Sequence, residues 1–408
     1  MGGSSKAGSE GKEELRFDRD TIERTIRERV RDIIEEIVEA ELDAALGAEV
    51  SQRVGKQRQG YRHGYRERTL TTSTGPTTFA MPRARLSKRD GGRHEWQSQT
   101  VARYERRSRR VDEAIVGVYL GGVNTRRIRG ALAPLLRGAP LSKDAVSRLV
   151  GRLKEDFERW QQGDLQADQI RHLYMDGWYP KVRIDKKRVR VPVLVTLGTR
   201  ATGERVVIDV RIAGEESSAA WGEVIRALVK RRIGVPQLAV IDGNAGLAQA
   251  LEVQWKKIRI QRCTNHKLWN LQAKAPARLR EELTEDYRRM IYADSVDEVA
   301  KQREKFQKKW KLKCAAVIGS LEEAGDDLFT FTHFPPSQWK ALRTTNAIER
   351  INEEFRRRTK TQASLPSEAA VVLLMYGLLC TGQIRLNRMV GWQDLPPPHR
   401  SAVMAEAA

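Results

Sequence analysis

Cysteine is scarce in this chain of 408 residues: there are three, and no two form a C-x-x-C pair. That excludes a disulfide scaffold and fits a reducing, cytoplasmic setting. No apolar run reaches the roughly 18 residues that a membrane-spanning helix requires. No apolar stretch of a secretory leader stands near Met1. No internal repeat is present. Acidic residues are in deficit, 53 Asp and Glu against 74 Lys and Arg, for a net charge of +21. Such an excess bears on partners and not on fold. It points to a polyanion, with nucleic acid ahead of an acidic membrane surface. The chain is 40% hydrophobic, enough for a sizeable core, and its length suggests about two to three domains.

Residues 1–12 are Gly, Ser and charge and read as a disordered lead. Over 13–50 the period becomes helical. Ile22, Ile26, Val30, Ile33, Ile37, Leu42 and Leu46 form one apolar stripe, which packs on the rest of the chain or on a second copy. Residues 51–110 hold 16 Lys and Arg against 4 Asp and Glu. Tyr61 and Tyr65 stand among Arg62 and Arg66, and a Thr-rich stretch around Gly75-Pro76 suggests a hairpin. Arginines bind phosphate and tyrosines stack, so DNA contact is expected there; a solvated basic face is the alternative. Residues 111–165 are helical with Gly turns. Ser142 caps a helix that buries Val146, Leu149, Leu153, Phe157 and Trp160. Lys143, Ser147, Arg148 and Arg152 lie off that stripe, the pattern of a helix-turn-helix.

Near residue 170 strands begin. Three β-rich runs, a helix, a strand, a helix and a strand follow in that order over 166–276. This is the order of an RNase H-like α/β core with a mixed sheet. Residues 277–340 are charged and helical, an α-helical insertion; 341–390 hold the closing helices, and 391–408 form a tail. Asp176 lies in the first strand run, Asp242 ends the strand LAVID, and Glu349 lies on a helix 107 residues later. In such a sheet the first and fourth strands are parallel neighbours, so carboxylates on them share one edge, and a helical Glu completes an oxygen cage. Mg²⁺ or Mn²⁺ prefers such ligands, and a pair of ions activates a water or 3′-hydroxyl and stabilises the leaving oxygen. Each residue also has a plainer explanation. Asp-Gly is a common turn pair. Glu349 follows Asn346 at capping-box spacing, and Glu353, one turn on, is the alternative ligand. Cys263 and His266 form a C-x-x-H, half of a zinc pattern. Cys314 and His333 supply no second half of standard spacing.

The chain resembles bacterial insertion-sequence transposases of the Mutator type. The resemblance spans about 55–393 and is carried by GYRHGYRERTL, MPRARL, GGVNTRRIRGAL, LSKDAVSRLVGRL, MDGWYPKVR, VIDGNAGL, RCTNHKLWN and TTNAIERINEEFRRRTK. It implies a DDE triad of Asp176, Asp242 and Glu349 holding two Mg²⁺ or Mn²⁺ ions, with Cys263 and His266 as a signature pair beside them. It implies a cytoplasmic, nucleoid-associated bacterial protein that binds terminal inverted repeats as a homodimer on two ends and transfers strands into target DNA. Asn244 and Trp269 depart from residues frequent in relatives, His and Arg. Arg356, Arg357 and Arg358 follow Glu349 on its helix and are expected to contact DNA near the site. A catalytically silent DNA-binding regulator is the competing function, and a nuclease without transfer activity shares the core.

Replacing Lys143, Arg148 and Arg152 together by Ala should weaken binding to element ends. It should also flatten the salt dependence by about 0.9 log unit per lost phosphate contact. Unchanged affinity and slope in a filter-binding titration would remove this helix from the interface.

Overall fold

A computed structural model of the protein describes residues 19–52, 58–88, 91–121, 123, 127–184, 187–360, 368–382 and 384–397. The expected lead over 1–12 lies outside them, as do 398–408 of the tail. The chain divides into two compact units, with the boundary falling inside one helix after Leu149.

In the first unit, α1 (Arg19–Leu46) packs on a hairpin of β1 (Gly60–Thr72) and β2 (Gly75–Ser87), with β3 (Arg93–Glu95) beside β2. Val38, Leu42 and Leu46 recur every fourth residue and bury against Phe79, Met81 and Ala84 of the alternating strand β2. The expected stripe is corrected in its first half. Ile22, Ile26, Ile33 and Ile37 are exposed, because the helix turns a different face, Ile34 and Val38, toward the hairpin. The acids of α1 dock there as well. Glu35 accepts from Ala80 N at 2.7 Å and Glu41 from Ser98 Oγ at 2.6 Å. Glu39 and Asp43 both pair with Arg62. The hairpin turn is Ser73-Thr74, just ahead of the expected Gly75-Pro76. Helices α2 (Arg109–Leu120), α3 (Ile128–Ala131), α4 (Ala133–Leu136) and α5 (Lys143–Gln162) follow. Ser142 Oγ accepts from Ala145 N at 3.1 Å and starts α5, whose Val146, Leu149, Leu153 and Phe157 are buried as the spacing requires.

The second unit is built on a five-stranded mixed sheet. Its strands are β4 (Ile170–Trp178), β7 (Val193–Arg200), β8 (Arg205–Ile212), β9 (Leu238–Ile241) and β10 (Arg259–Arg262), in the order β10-β9-β4-β7-β8. A separate hairpin, β5 (Lys181–Ile184) with β6 (Lys187–Arg190), interrupts what looked like continuous β runs. The breaks fall at Pro180 and Pro192, which have no N–H for a ladder. Alternation along β4 divides its neighbours. Leu173 and Met175 join the core made with α6 (Ser218–Lys230) and α7 (Ala245–Gln254). Tyr174 and Trp178 face the opposite side: the Tyr174 hydroxyl donates to Ala341 O at 3.1 Å, and the Trp178 ring lies 5.7 Å from that of Phe355. After β10 the chain is helical: α8 (Thr264–Lys274), α9 (Arg280–Ile291), α10 (Val296–Lys313), α11 (Ala315–Ala324) and α12 (Pro336–Leu342). The two closing helices are α13 (Asn346–Lys360) and α14 (Glu368–Cys380).

Leu42→Ala should destabilise the first unit by roughly 2–5 kcal/mol, the cost of a cavity under a fully buried leucine. Ile33→Ala, on the exposed face of the same helix, should change stability by about 0.5 kcal/mol or less. Chemical denaturation of both variants checks this; equal losses would show that the exposed stripe is covered in solution.

Candidate active site

Strand register brings the sequence-predicted residues together. β4 and β9 run parallel with Met175 opposite Ile241, and β9 and β10 run parallel with Ile241 opposite Arg262. The next residue on each strand is therefore level with the others: Asp176, Asp242 and Cys263. A hydrogen bond from Cys263 N to Ile241 O, 2.7 Å, secures that end of the row. Helix α13 faces it with Glu349 and, one turn on, Asn352. The Asn352 amide is buried and donates from Nδ2 to Asp176 Oδ2 at 3.1 Å. No sequence motif singled out Asn352; its position three residues after Glu349, on the same helix face, was the available signal.

Asp242 makes the turn that its Asp-Gly pair suggests. Oδ1 accepts from Asn244 N at 2.9 Å, and Gly243 takes φ +101°, a value that favours glycine. The turn thus fixes the carboxylate rotamer at the strand end. Asn244 then caps α7, its Oδ1 accepting from Leu247 N at 3.0 Å. Glu349 is half-buried, and its Oε1 accepts from Thr345 Oγ1 at 2.9 Å. Glu353, the alternative on the helix, is exposed.

Burial and the like charges of Asp242, Glu349 and Glu216 push the Asp176 carboxyl up to about 7, against the opposing effect of His266. No Lys or Arg among the described residues forms an ion pair with Asp176, Asp242 or Glu349, in a chain carrying +21. Burial alone would lower the His266 pKa, but Cys263, Asp176 and Glu349 outweigh it and raise the imidazole to about 9. Its Nδ1 lies 3.8 Å from Glu349 Oε1, and Trp269 meets the ring edge-on at 4.9 Å. Ligand-capable atoms of Cys263, His266 and Glu349 all lie within 4.8 Å of one another, so Glu349 supplies the third group that the C-x-x-H spacing lacked. Among the described residues, the carboxylates of Asp176, Asp242 and Glu349 do not form such a tight trio. Cys314 and His333 lie elsewhere, bonded to Lys274 O and Thr330 O.

The expected DNA contacts divide. Arg62 pairs with Glu39 and Asp43 of α1. Arg357 and Arg358 both pair with Glu354. Arg66, Lys143, Ser147, Arg148, Arg152 and Arg356 are exposed.

A model of the Mutator family of transposases matches residues 6–383, and the chain belongs to that family. It is similar to the transposase for insertion sequence element ISRM5 of Rhizobium meliloti (strain 1021), 28% identical over 344 residues, 84% of each chain. It is similar to the transposase for IS905 of Lactococcus lactis subsp. lactis (strain IL1403), 27% identical over 74% of this chain and 75% of the relative. The transposase for IS256 in transposon Tn4001 of Staphylococcus aureus is 26% identical over 77% and 78%.

The raised pKa of Asp176 has a consequence for stability. Between the unfolded carboxylate range, near 4, and about 7, the folded state holds a proton that the unfolded state releases, so stability falls as pH rises. In chelator-treated protein, Asp176→Asn should therefore raise the melting temperature at pH 8, and the gain should shrink toward pH 4. A variant no more stable than wild type at pH 8 would show that Asp176 is not under this electrostatic load.

Proposed function

We propose that this chain is a metal-dependent DNA transposase that binds the terminal inverted repeats of an insertion sequence, cleaves there and transfers strands into target DNA. The observation that carries the proposal is the placement of three acids without a Lys or Arg partner among the described residues, with only His266 beside Glu349, on two adjacent parallel strands and a facing helix, in a strongly basic member of this family. The sheet, with its first strand central and its fourth and fifth parallel to it, supports an RNase H-like core.

The oxygen-rich donor set suits Mg²⁺ or Mn²⁺, with Asp176, Asp242 and Glu349 as the residues that would hold the ions. Bound there, two divalent ions would supply charge stabilisation and an activated water or 3′-hydroxyl. The chain's own part is to hold the carboxylates in place. The Asp242 rotamer is set by Asn244 N, Asp176 by Asn352, and Glu349 by Thr345. Protonated His266, beside Glu349, presents positive charge to an approaching phosphate. Phosphates outside the site find exposed Lys187, Arg188 and Arg190 on the β5–β6 hairpin and Lys143, Arg148 and Arg152 on α5. None of these six forms an ion pair among the described residues. A homodimer on two ends would have the exposed α1 stripe available as a subunit contact.

Asp176→Asn, Asp242→Asn and Glu349→Gln should each fold and bind ends yet lose cleavage and strand transfer by at least about 10²-fold. Glu353→Gln should remain active. The measurement is product mapping on end-containing DNA with Mg²⁺. An inactive Glu353→Gln beside an active Glu349→Gln would move the third carboxylate, and three fully active amides would reject the mechanism. A wild-type chain that binds ends without cutting would favour the silent regulator.

A further inference from the structure

We propose that Glu216 is a positioning residue of the same active site: its carboxylate holds Asn244, and through it Asp242, while adding a fourth negative charge beside Asp176. The inference rests on the reading of the site as cation-dependent.

In sequence Glu216 is unremarked, the second of two acids ahead of Ser217, which caps α6. Acids near a helix N-terminus are ordinary. Its surroundings are not. Glu216 Oε1 accepts from Trp221 Nε1 at 3.2 Å and from Asn244 Nδ2 at 3.1 Å, and Oε2 accepts from the Tyr179 hydroxyl. All three donors are neutral. Among the described residues no Lys or Arg forms an ion pair with Glu216, so its charge is oriented without being neutralised.

Two contacts tie that charge to the proposed ligands. The first is Gly177, directly after Asp176. A Cβ there would stand 2.6 Å from Glu216 Oε2, so the glycine gives this carboxylate room against β4. The pair Asp176-Gly177 lies within a strand and is no turn. The second is Asn244, which uses every polar group it faces inward. Its N–H donates to Asp242 Oδ1, its Oδ1 caps α7, and its Nδ2 reaches Glu216. Glu216 therefore spans the backbones that carry Asp176 and Asp242. Without the carboxylate the Asn244 amide keeps its Oδ1 cap but loses its charged Nδ2 partner, which weakens the hold on the turn that carries Asp242. Its charge near Asp176 also raises that group's pKa, consistent with the closeness of the two.

The test is a Mn²⁺ titration of the full chain followed by the rise in melting temperature, a readout independent of turnover. Glu216→Gln removes the charge and leaves the Tyr179 hydroxyl facing an amide; it should need about tenfold more Mn²⁺ for half of the shift. Asn244→Ser retains a capping hydroxyl but loses the Nδ2 donor, so it should move the midpoint in the same direction, and it decides the matter if Glu216→Gln fails to fold. Tyr179→Phe keeps the charge and should shift the midpoint by less than about twofold. Wild-type midpoints in both Glu216→Gln and Asn244→Ser would overturn the assignment. Asp176→Asn separates the two levels. If it abolishes the shift while Glu216→Gln and Asn244→Ser titrate normally, only the role of Glu216 falls. If it too titrates like wild type, the cation site falls with it.

Discussion

Negative charge without a Lys or Arg partner, offset only by His266, at one end of a parallel strand pair is the constraint around which the second unit is arranged. Like charges brought together in a partly buried place repel, and the protein does not relieve them with its abundant arginines. It holds them with neutral donors instead: Asn352 on Asp176, the Asn244 amides on Asp242 and Glu216, and Thr345 on Glu349. Neutral donors orient a carboxylate and leave its charge in place for a ligand. Arginines appear one layer out. Arg262 pairs with Glu323, and its guanidinium lies against Gly243 without bonding Asp242.

Keeping such a cluster requires a rigid frame, and the frame follows from strand chemistry. Buried Leu173 and Met175 on one face of β4 pack on α6 and α7, which fixes the pleat so that the other face presents Tyr174 to α12 and Asp176 and Trp178 to α13. Helix α13 answers with Ile348, Ile351 and Phe355, all fully buried, so that Glu349 and Asn352 on the intervening positions meet the strand ends. Slipping β4 by one residue would exchange Asp176 with an apolar neighbour.

Much of this was legible in the sequence because it depends on periodicity and order. The strand-helix-strand order forecast the parallel neighbours, and the Ser142 cap and the apolar spacing after it forecast α5. Glu349 and Glu353 were alternatives because helical spacing alone permits both; Glu349 is half-buried beside His266 and Glu353 is exposed, an ordering that helical spacing does not carry. Glu216 and Asn352 had no motif to mark them, since each acts through a contact between segments distant in the chain. Arg62 looked free because its partners, Glu39 and Asp43, belong to another element. The α1 stripe divides because the apolar residues of a long helix cover more than one face: Val38, Leu42 and Leu46 dock on the hairpin, while Ile22, Ile26, Ile33 and Ile37 stay exposed.

The most direct test of the account is to ask where a redox-active divalent ion sits. Fe²⁺ in place of Mg²⁺, with ascorbate and peroxide, cuts the backbone next to its ligands, and mass spectrometry of the fragments locates the cuts. Cleavage clustered around residues 176, 242 and 349, and suppressed by excess Mg²⁺, is the predicted result. Cleavage confined to the segment around Cys263 and His266, or none that Mg²⁺ suppresses, would contradict a cation site built from these carboxylates.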